Sequence, residues 1–218
     1  MPETAWRVPH RIVTERLTLR RYRADDADQM SRVTLASKDH LAPFLPWARA
    51  EPLPPADRAA LLETFMTDYD EGRDFPMGIF ARDTGAYVGG TGFHTRLGPG
   101  ALEIGYWIAY DHQGRGYVTE AVLALTHVAL TLVKADRVEI HHTPDNLASR
   151  AVPQRCGYSY DGRELTLMPG VEGVEPTDMW SATAEHLSRE PLASCPRPQA
   201  FDAADHQLPW HTRATSPR

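Results

Sequence analysis

The chain has 218 residues, 42% of them apolar and 24% charged, with a formal net charge of −6. This is one domain's length with enough apolar residues for a core; the acidic balance argues against a nucleic-acid groove and suits a cationic amine partner. No apolar run approaches the ~20 residues of a membrane span, MPETAWRVPHR lacks a secretory core, and Cys156 and Cys195 make no disulfide framework, so no membrane role and a cytoplasmic location are expected.

Glu15 to Arg20 alternates and reads as a first strand, with Leu17 and Leu19 inward. Asp25 and Asp26 can cap a helix running to about Ser37. Leu41 to Pro55 is a proline-rich loop carrying Phe44 and Trp47. Leu61, Leu62, Phe65 and Met66 mark a second helix from about Ala56. Phe75–Ala81 and Tyr87–His94 form a hairpin around Asp83-Thr84-Gly85, and Leu97 to Gly100 turns the chain into the strand Leu102–Ile108. Val118, Ala121, Val122, Leu125, Val128, Ala129 and Leu132 give the clearest helical period. The next strand, Arg137–Thr143, is reached through that helix, hence a parallel, right-handed crossover. A short helix starts at Pro144-Asp145-Asn146. Pro153 inside it lacks the N–H for the Ser149 carbonyl, which predicts a kinked or shortened helix. Tyr158–Arg163 and Thr177–Ala182 close the sheet. The fold class is α+β (α/β): a mixed, mostly antiparallel sheet of six to seven strands with one central parallel crossover and flanking helices. Residues 1–187 are read as the domain, and residues 188–218 as a proline-rich extension with little regular structure.

Between Ile108 and the long helix lies DHQGRGYVTEAV, from Asp111 to Val122. A strand, a glycine-bearing turn and a helix start follow directly on one another. Such a turn aims main-chain N–H groups outward at a point where the helix dipole favours negative charge. Gly114 and Gly116 let a ligand approach the backbone closely. The segment therefore reads as a seat for phosphate or pyrophosphate. It is no P-loop, because the Lys-Ser/Thr is missing, and it lacks the third small residue of a Rossmann fingerprint.

The spacing Gln113-x-x-Gly116-x-Val118 resembles the Q/R-x-x-G-x-G/A loop of the GCN5-related N-acetyltransferases (GNAT), with Val118 in place of the usual Gly or Ala. Thr14-Glu15-Arg16-Leu17-Thr18-Leu19-Arg20, Leu45-Pro46-Trp47, Glu103-Ile104-Gly105-Tyr106-Trp107-Ile108, and Asp145-Asn146-x-x-Ser149 followed by Gly157-Tyr158 resemble, in order, segments of its RimJ/RimL-like branch. The likeness spans about residues 11 to 186. It implies the GNAT fold, acetyl-CoA as cosubstrate without a metal, and direct transfer of acetyl to a primary amine.

On that resemblance, Gln113, Gly114, Arg115, Gly116, Tyr117, Val118 and Thr119 would hold the pyrophosphate, with Arg115 either adding a cation or simply solvated. The edge at Trp107, Ile108 and Ala109 would pair with the pantetheine arm, which requires the central strands to part near Ala109. Glu103 is the first candidate base, acting through water; its alternative is a solvent-facing strand carboxylate. His142 is the second, against a satisfied structural histidine. Ser149 would protonate the leaving thiolate, and Asn146 would bond pantetheine or cap the helix. Phe44 and Trp47 would wall the acceptor pocket. Cys156 is a packing residue, and the adjacent His141 and His142 point to opposite strand faces, which suits no metal. The branch suggests a protein or peptide N-terminal α-amine as acceptor. The alternatives are a small amine (antibiotic, polyamine or amino acid) or a non-catalytic acyl-CoA-binding module. Homodimers are common in the family.

Overall fold

The computed structural model describes residues 6–167, 170 and 173–210. Its strands are β1 (Arg11–Val13), β2 (Leu17–Arg21), β3 (Phe75–Ala81), β4 (Tyr87–His94), β5 (Ala101–Ile108), β6 (Arg137–His142), β7 (Ser159–Leu167), β8 (Val174–Thr183) and β9 (Gln199–Phe201). They form one nine-stranded sheet in the order β7-β8-β6-β5-β4-β3-β2-β1-β9, antiparallel throughout except for the β5–β6 pair. The expected six to seven strands are all present. The additional two, β1 and β9, have three residues each, too few to display an alternation.

Helices α1 (Ala27–Ala36), α2 (Lys38–Leu41), α3 (Pro55–Asp70), α4 (Tyr117–His127) and α5 (Leu147–Arg155) cover the sheet. α1 and α3 bury Met30 and Leu62 against Tyr22, Phe80 and Tyr87 on one face. On the other, α4 turns Ala121, Val122 and Leu125 into the main core with Leu102, Ile104, Val138 and Ile140. The stripe continues through a π-helical stretch, Val128–Val133. The acidic residues at the end of α3 are paired within the chain: Asp68 and Glu71 with Arg73, Asp70 with Arg21, and Asp74 with His94.

Two features refine the sequence reading. Of the kinked or shortened helix expected at Pro153, the shortening is absent: α5 runs through Pro153 to Arg155. The carbonyl of Ser149, which Pro153 cannot bond, accepts from the Tyr106 hydroxyl at 3.0 Å. An unmet helical acceptor is thus satisfied from a neighbouring strand.

The segment after Leu187 is also more ordered than its prolines suggest. Leu192 and Ala200 are buried, the His127 ring donates to the Leu192 carbonyl at 3.0 Å, and β9 adds to the edge of β1. Trp210 donates from Nε1 to the Pro198 carbonyl at 2.9 Å. Residues 211–218 of the expected extension lie outside the described residues.

Candidate active site

The turn before α4 has the expected form. Gly114 and Gly116 take left-handed φ values of 70° and 76°, a region that L side chains disfavour. The first N–H here to find a helical acceptor is that of Glu120, which donates to the Gly116 carbonyl at 3.0 Å. The donors of Tyr117, Val118 and Thr119 are therefore the free ones of a first helical turn. Gln113, Gly114, Gly116, Tyr117, Val118 and Thr119 all line one large cleft of about 1670 Å³. Arg115 does not line it; its guanidinium is exposed and donates to the Asp111 carbonyl at 2.9 Å.

The cleft enters the sheet where β5 and β6 part. Their pairing covers only Ala101–Glu103 and Arg137–Glu139, so the strands separate earlier than Ala109, and β5 shows no register shift against β4. The Ala109 N–H donates to the Val88 carbonyl at 2.8 Å. Alternate strand residues present their main chain to opposite edges. Ala109 and Trp107 therefore face β4, whereas Tyr106 and Ile108 face the gap. The expected edge narrows to Ile108 and gains Tyr106. The Ile108 carbonyl is already engaged by His40 Nε2 at 3.0 Å.

Ser149 and Tyr106 meet across this gap, with Ser149 Oγ and Tyr106 Oη 3.0 Å apart. Asn146 caps α5, its Oδ1 accepting the Ser149 N–H at 3.0 Å, and both Asn146 and Ser149 line the cleft. Burial raises the Tyr106 pKa well above the ordinary phenol value, so the hydroxyl keeps its proton. Tyr106 was legible as part of the strand motif, but periodicity alone gives it no partner on α5.

The structure does not bring Glu103 or His142 to the cleft. Glu103 is 4% exposed, and both carboxylate oxygens are held by Arg96, one at 2.7 Å. His142 donates from Nδ1 to the Thr143 carbonyl at 2.8 Å and accepts from Trp180 Nε1 at 3.0 Å, so both ring nitrogens are occupied. His142 is the satisfied structural histidine that was its alternative, whereas Glu103 is not the solvent-facing carboxylate that was its alternative but a buried one paired with Arg96. Cys156 is fully buried, and burial pushes its thiol up to about 12, as expected of a packing residue.

At the far end, Phe44 lines the cleft and Trp47 packs on Trp107 with ring centroids 5.5 Å apart. Trp107 belongs to the cluster under α1 and α3, whereas Tyr106 belongs to the core under α4. The cleft thus passes through the gap in the sheet, from the α4–α5 face to the α1–α3 face. His40 also lines it. Bonding to a carbonyl requires Nε2–H, which leaves Nδ1 a lone-pair acceptor; that atom is buried and without a partner among the described residues.

Free first-turn N–H groups, two left-handed glycines and open strand edges fit a diphosphate joined to an amide-bearing arm. A family model described as an acetyltransferase (GNAT) domain matches residues 16–159. The chain belongs to the GNAT acetyltransferases. Among solved structures, Mycobacterium smegmatis RimJ in complex with CoA-disulfide aligns with a TM-score of 0.68 at 27% identity, covering 83% of this chain and 88% of that one. RimL, a ribosomal L7/L12 α-N-protein acetyltransferase in complex with coenzyme A, aligns with a TM-score of 0.68 at 21% identity, covering 79% and 97%. An uncharacterized N-acetyltransferase, p20 of Bacillus licheniformis, is 26% identical over 156 residues, 69% of this chain and 83% of its own length. This GNAT protein is an N-acetyltransferase of the RimJ/RimL-like branch, with acetyl-CoA as its cosubstrate.

Proposed function

We propose that the acceptor is the α-amine at the N-terminus of a protein or peptide. The observation that carries this reading is the acceptor end of the cleft, which opens among exposed apolar side chains. Phe44 and Trp47 are 38% and 41% exposed. Gly170, beyond β7, approaches Pro46, and Leu165, Leu167 and Val174 of the same hairpin are exposed too. A broad apolar rim suits an extended chain with one reacting end better than it suits a small polyamine, which calls for enclosing carboxylates. The likeness to RimL, named for an α-N-protein acetyltransferase, points the same way.

Acetyl-CoA supplies an acyl group activated as a thioester, whose sulfur leaves as the anion of a thiol with pKa near ~8.5. The chain's own groups are placed for the remaining work. The N–H groups of Tyr106 and Ile108 face the gap and can bond the carbonyl oxygen as charge develops there. With the Tyr106 proton committed to the Ser149 carbonyl, Ser149 Oγ–H donates to Tyr106 Oη at rest and turns toward the sulfur as it leaves. An α-amine has a pKa near ~8 and is partly neutral at physiological pH. The proton it loses on attack passes to His40 Nδ1, the unpartnered acceptor at this end. Glu103 and His142 transfer no proton in this scheme, because their polar atoms are committed elsewhere.

Thiol release with acetyl-CoA tests the acceptor class. Peptides with free N-termini should turn over, and the same peptides blocked at the N-terminus should not. Turnover with antibiotics, polyamines or free amino acids alone would favour a small acceptor. Tight coenzyme binding without turnover of any amine would favour a non-catalytic module.

A further inference from the structure

We propose that the segment Cys195–Gln199, which precedes and enters β9, is a wall of the coenzyme cleft, and that Arg197 with Arg155 of α5 binds the 3′-phosphate of coenzyme A. The proposal rests on coenzyme A as the cosubstrate and adds to it a use for the C-terminal segment.

The order of the coenzyme's parts fixes the direction. Tyr106 and Ser149 mark the thiol end, and the free N–H groups before α4 mark the diphosphate. The nucleoside must then leave the other way, past the first turns of α4. Thr119, Glu120 and Leu123 line the cleft there, and Cys195, Pro196, Arg197, Pro198 and Gln199 line it with them. Arg155 lies at the end of α5 away from Ser149, about 9 Å along the axis at ~1.5 Å per residue.

The charges at this end single out two cations. Arg16 is bound to Glu120, its Nε 2.6 Å from the carboxylate. Arg82 donates to the carbonyls of Thr14 and Glu15 at 2.8 and 3.1 Å. Arg155 and Arg197 line the same cleft, are exposed, and have no carboxylate partner among the described residues. Glu15 is the one lining carboxylate left to oppose them. Arg197 lies over the Trp210 ring at 5.9 Å, and β9 pairs with β1 immediately beyond. Its backbone is therefore held in place before any ligand arrives. Two forked cations beside a bound nucleoside are suited to a phosphate dianion.

The test is calorimetric titration of the full chain at low ionic strength with coenzyme A and with 3′-dephospho-coenzyme A. Wild type should bind coenzyme A about tenfold more tightly, the order expected of charge-assisted bonds at a half-exposed site. Arg197→Gln and Arg155→Gln should each lose about three- to fivefold for coenzyme A, and the double variant should lose the preference entirely. Affinity for the dephosphorylated form should stay within about twofold in all of them, which also reports that the variants are folded. Wild-type binding without discrimination, a preference that survives in the double variant, or an equal loss for both ligands overturns the assignment. Wild type that binds neither ligand would instead remove the coenzyme reading on which it rests.

Discussion

The Tyr106 hydroxyl donates at 3.0 Å to the Ser149 carbonyl, the acceptor that Pro153 leaves without a helical partner. A proline in mid-helix thereby ties the strand edge of the cleft to the residue placed at the leaving sulfur. Tyr106→Phe should lower kcat about tenfold or more and shift coenzyme affinity by less than about threefold. It should also cost about 1–2 kcal/mol of stability, because the Ser149 carbonyl is left unbonded. Pro153→Ala gives the helix a competing N–H; it should keep or raise the melting temperature while lowering kcat. Stopped-flow single turnovers and thermal unfolding read both, and full activity in Tyr106→Phe would break the link between the two hydroxyls.

Ser149→Ala removes the proton donor but leaves the cap to Asn146 intact, since that bond uses the Ser149 N–H. The chemical step should slow about 100-fold, with coenzyme binding little changed. Equal losses in both would make the serine a structural residue.

His40 and Glu103 should behave in opposite ways. His40→Gln should lower kcat, because the proton acceptor at the amine is gone. Glu103→Gln should leave the shape of the pH–rate profile unchanged and cost about 1–2 kcal/mol of stability, less than a fully buried pair because Arg96 is partly exposed. A profile altered by Glu103→Gln alone would return the base role to that carboxylate.

Histidine burial sets the response to acid. His10, His112 and His127 have pKa values lowered from 6.5, in each case chiefly by burial. Each takes up a proton less readily in the folded chain than in the unfolded one. Stability should therefore be full above about 6.5 and fall as pH drops below it, with at most ~1.4 kcal/mol lost per histidine per pH unit. His127, the most buried of the three, should contribute most. Urea midpoints between pH 7.5 and 5.5 measure this, and a midpoint that rises on acidification contradicts it.

Sequence patterns reached furthest where one local rule sufficed. The alternation of β2, the turn between β3 and β4, the 3.6-residue stripe of α4 and the glycine turn before it each depend on neighbours in the chain. The parting of β5 and β6 depends on what each strand meets elsewhere, and no period encodes it. Helix α5 keeps its length past Pro153 because the missing donor is supplied by Tyr106 from a strand 43 residues away in sequence, a partner that helical spacing does not reveal. The roles of Glu103 and His142 turned on Arg96 and Trp180, partners that spacing cannot reveal. The segment around β9 was hidden by its prolines, which break periodicity without preventing an edge pairing.

The central claim is that main-chain donors between Gly114 and Thr119 hold the coenzyme's diphosphate. Amide NMR shifts of the labelled protein during titration with coenzyme A, and separately with pantetheine, test it most directly. The account predicts large downfield shifts at Gly116, Tyr117, Val118 and Thr119 with coenzyme A and little change there with pantetheine. Coenzyme binding that leaves those amides unmoved would contradict it.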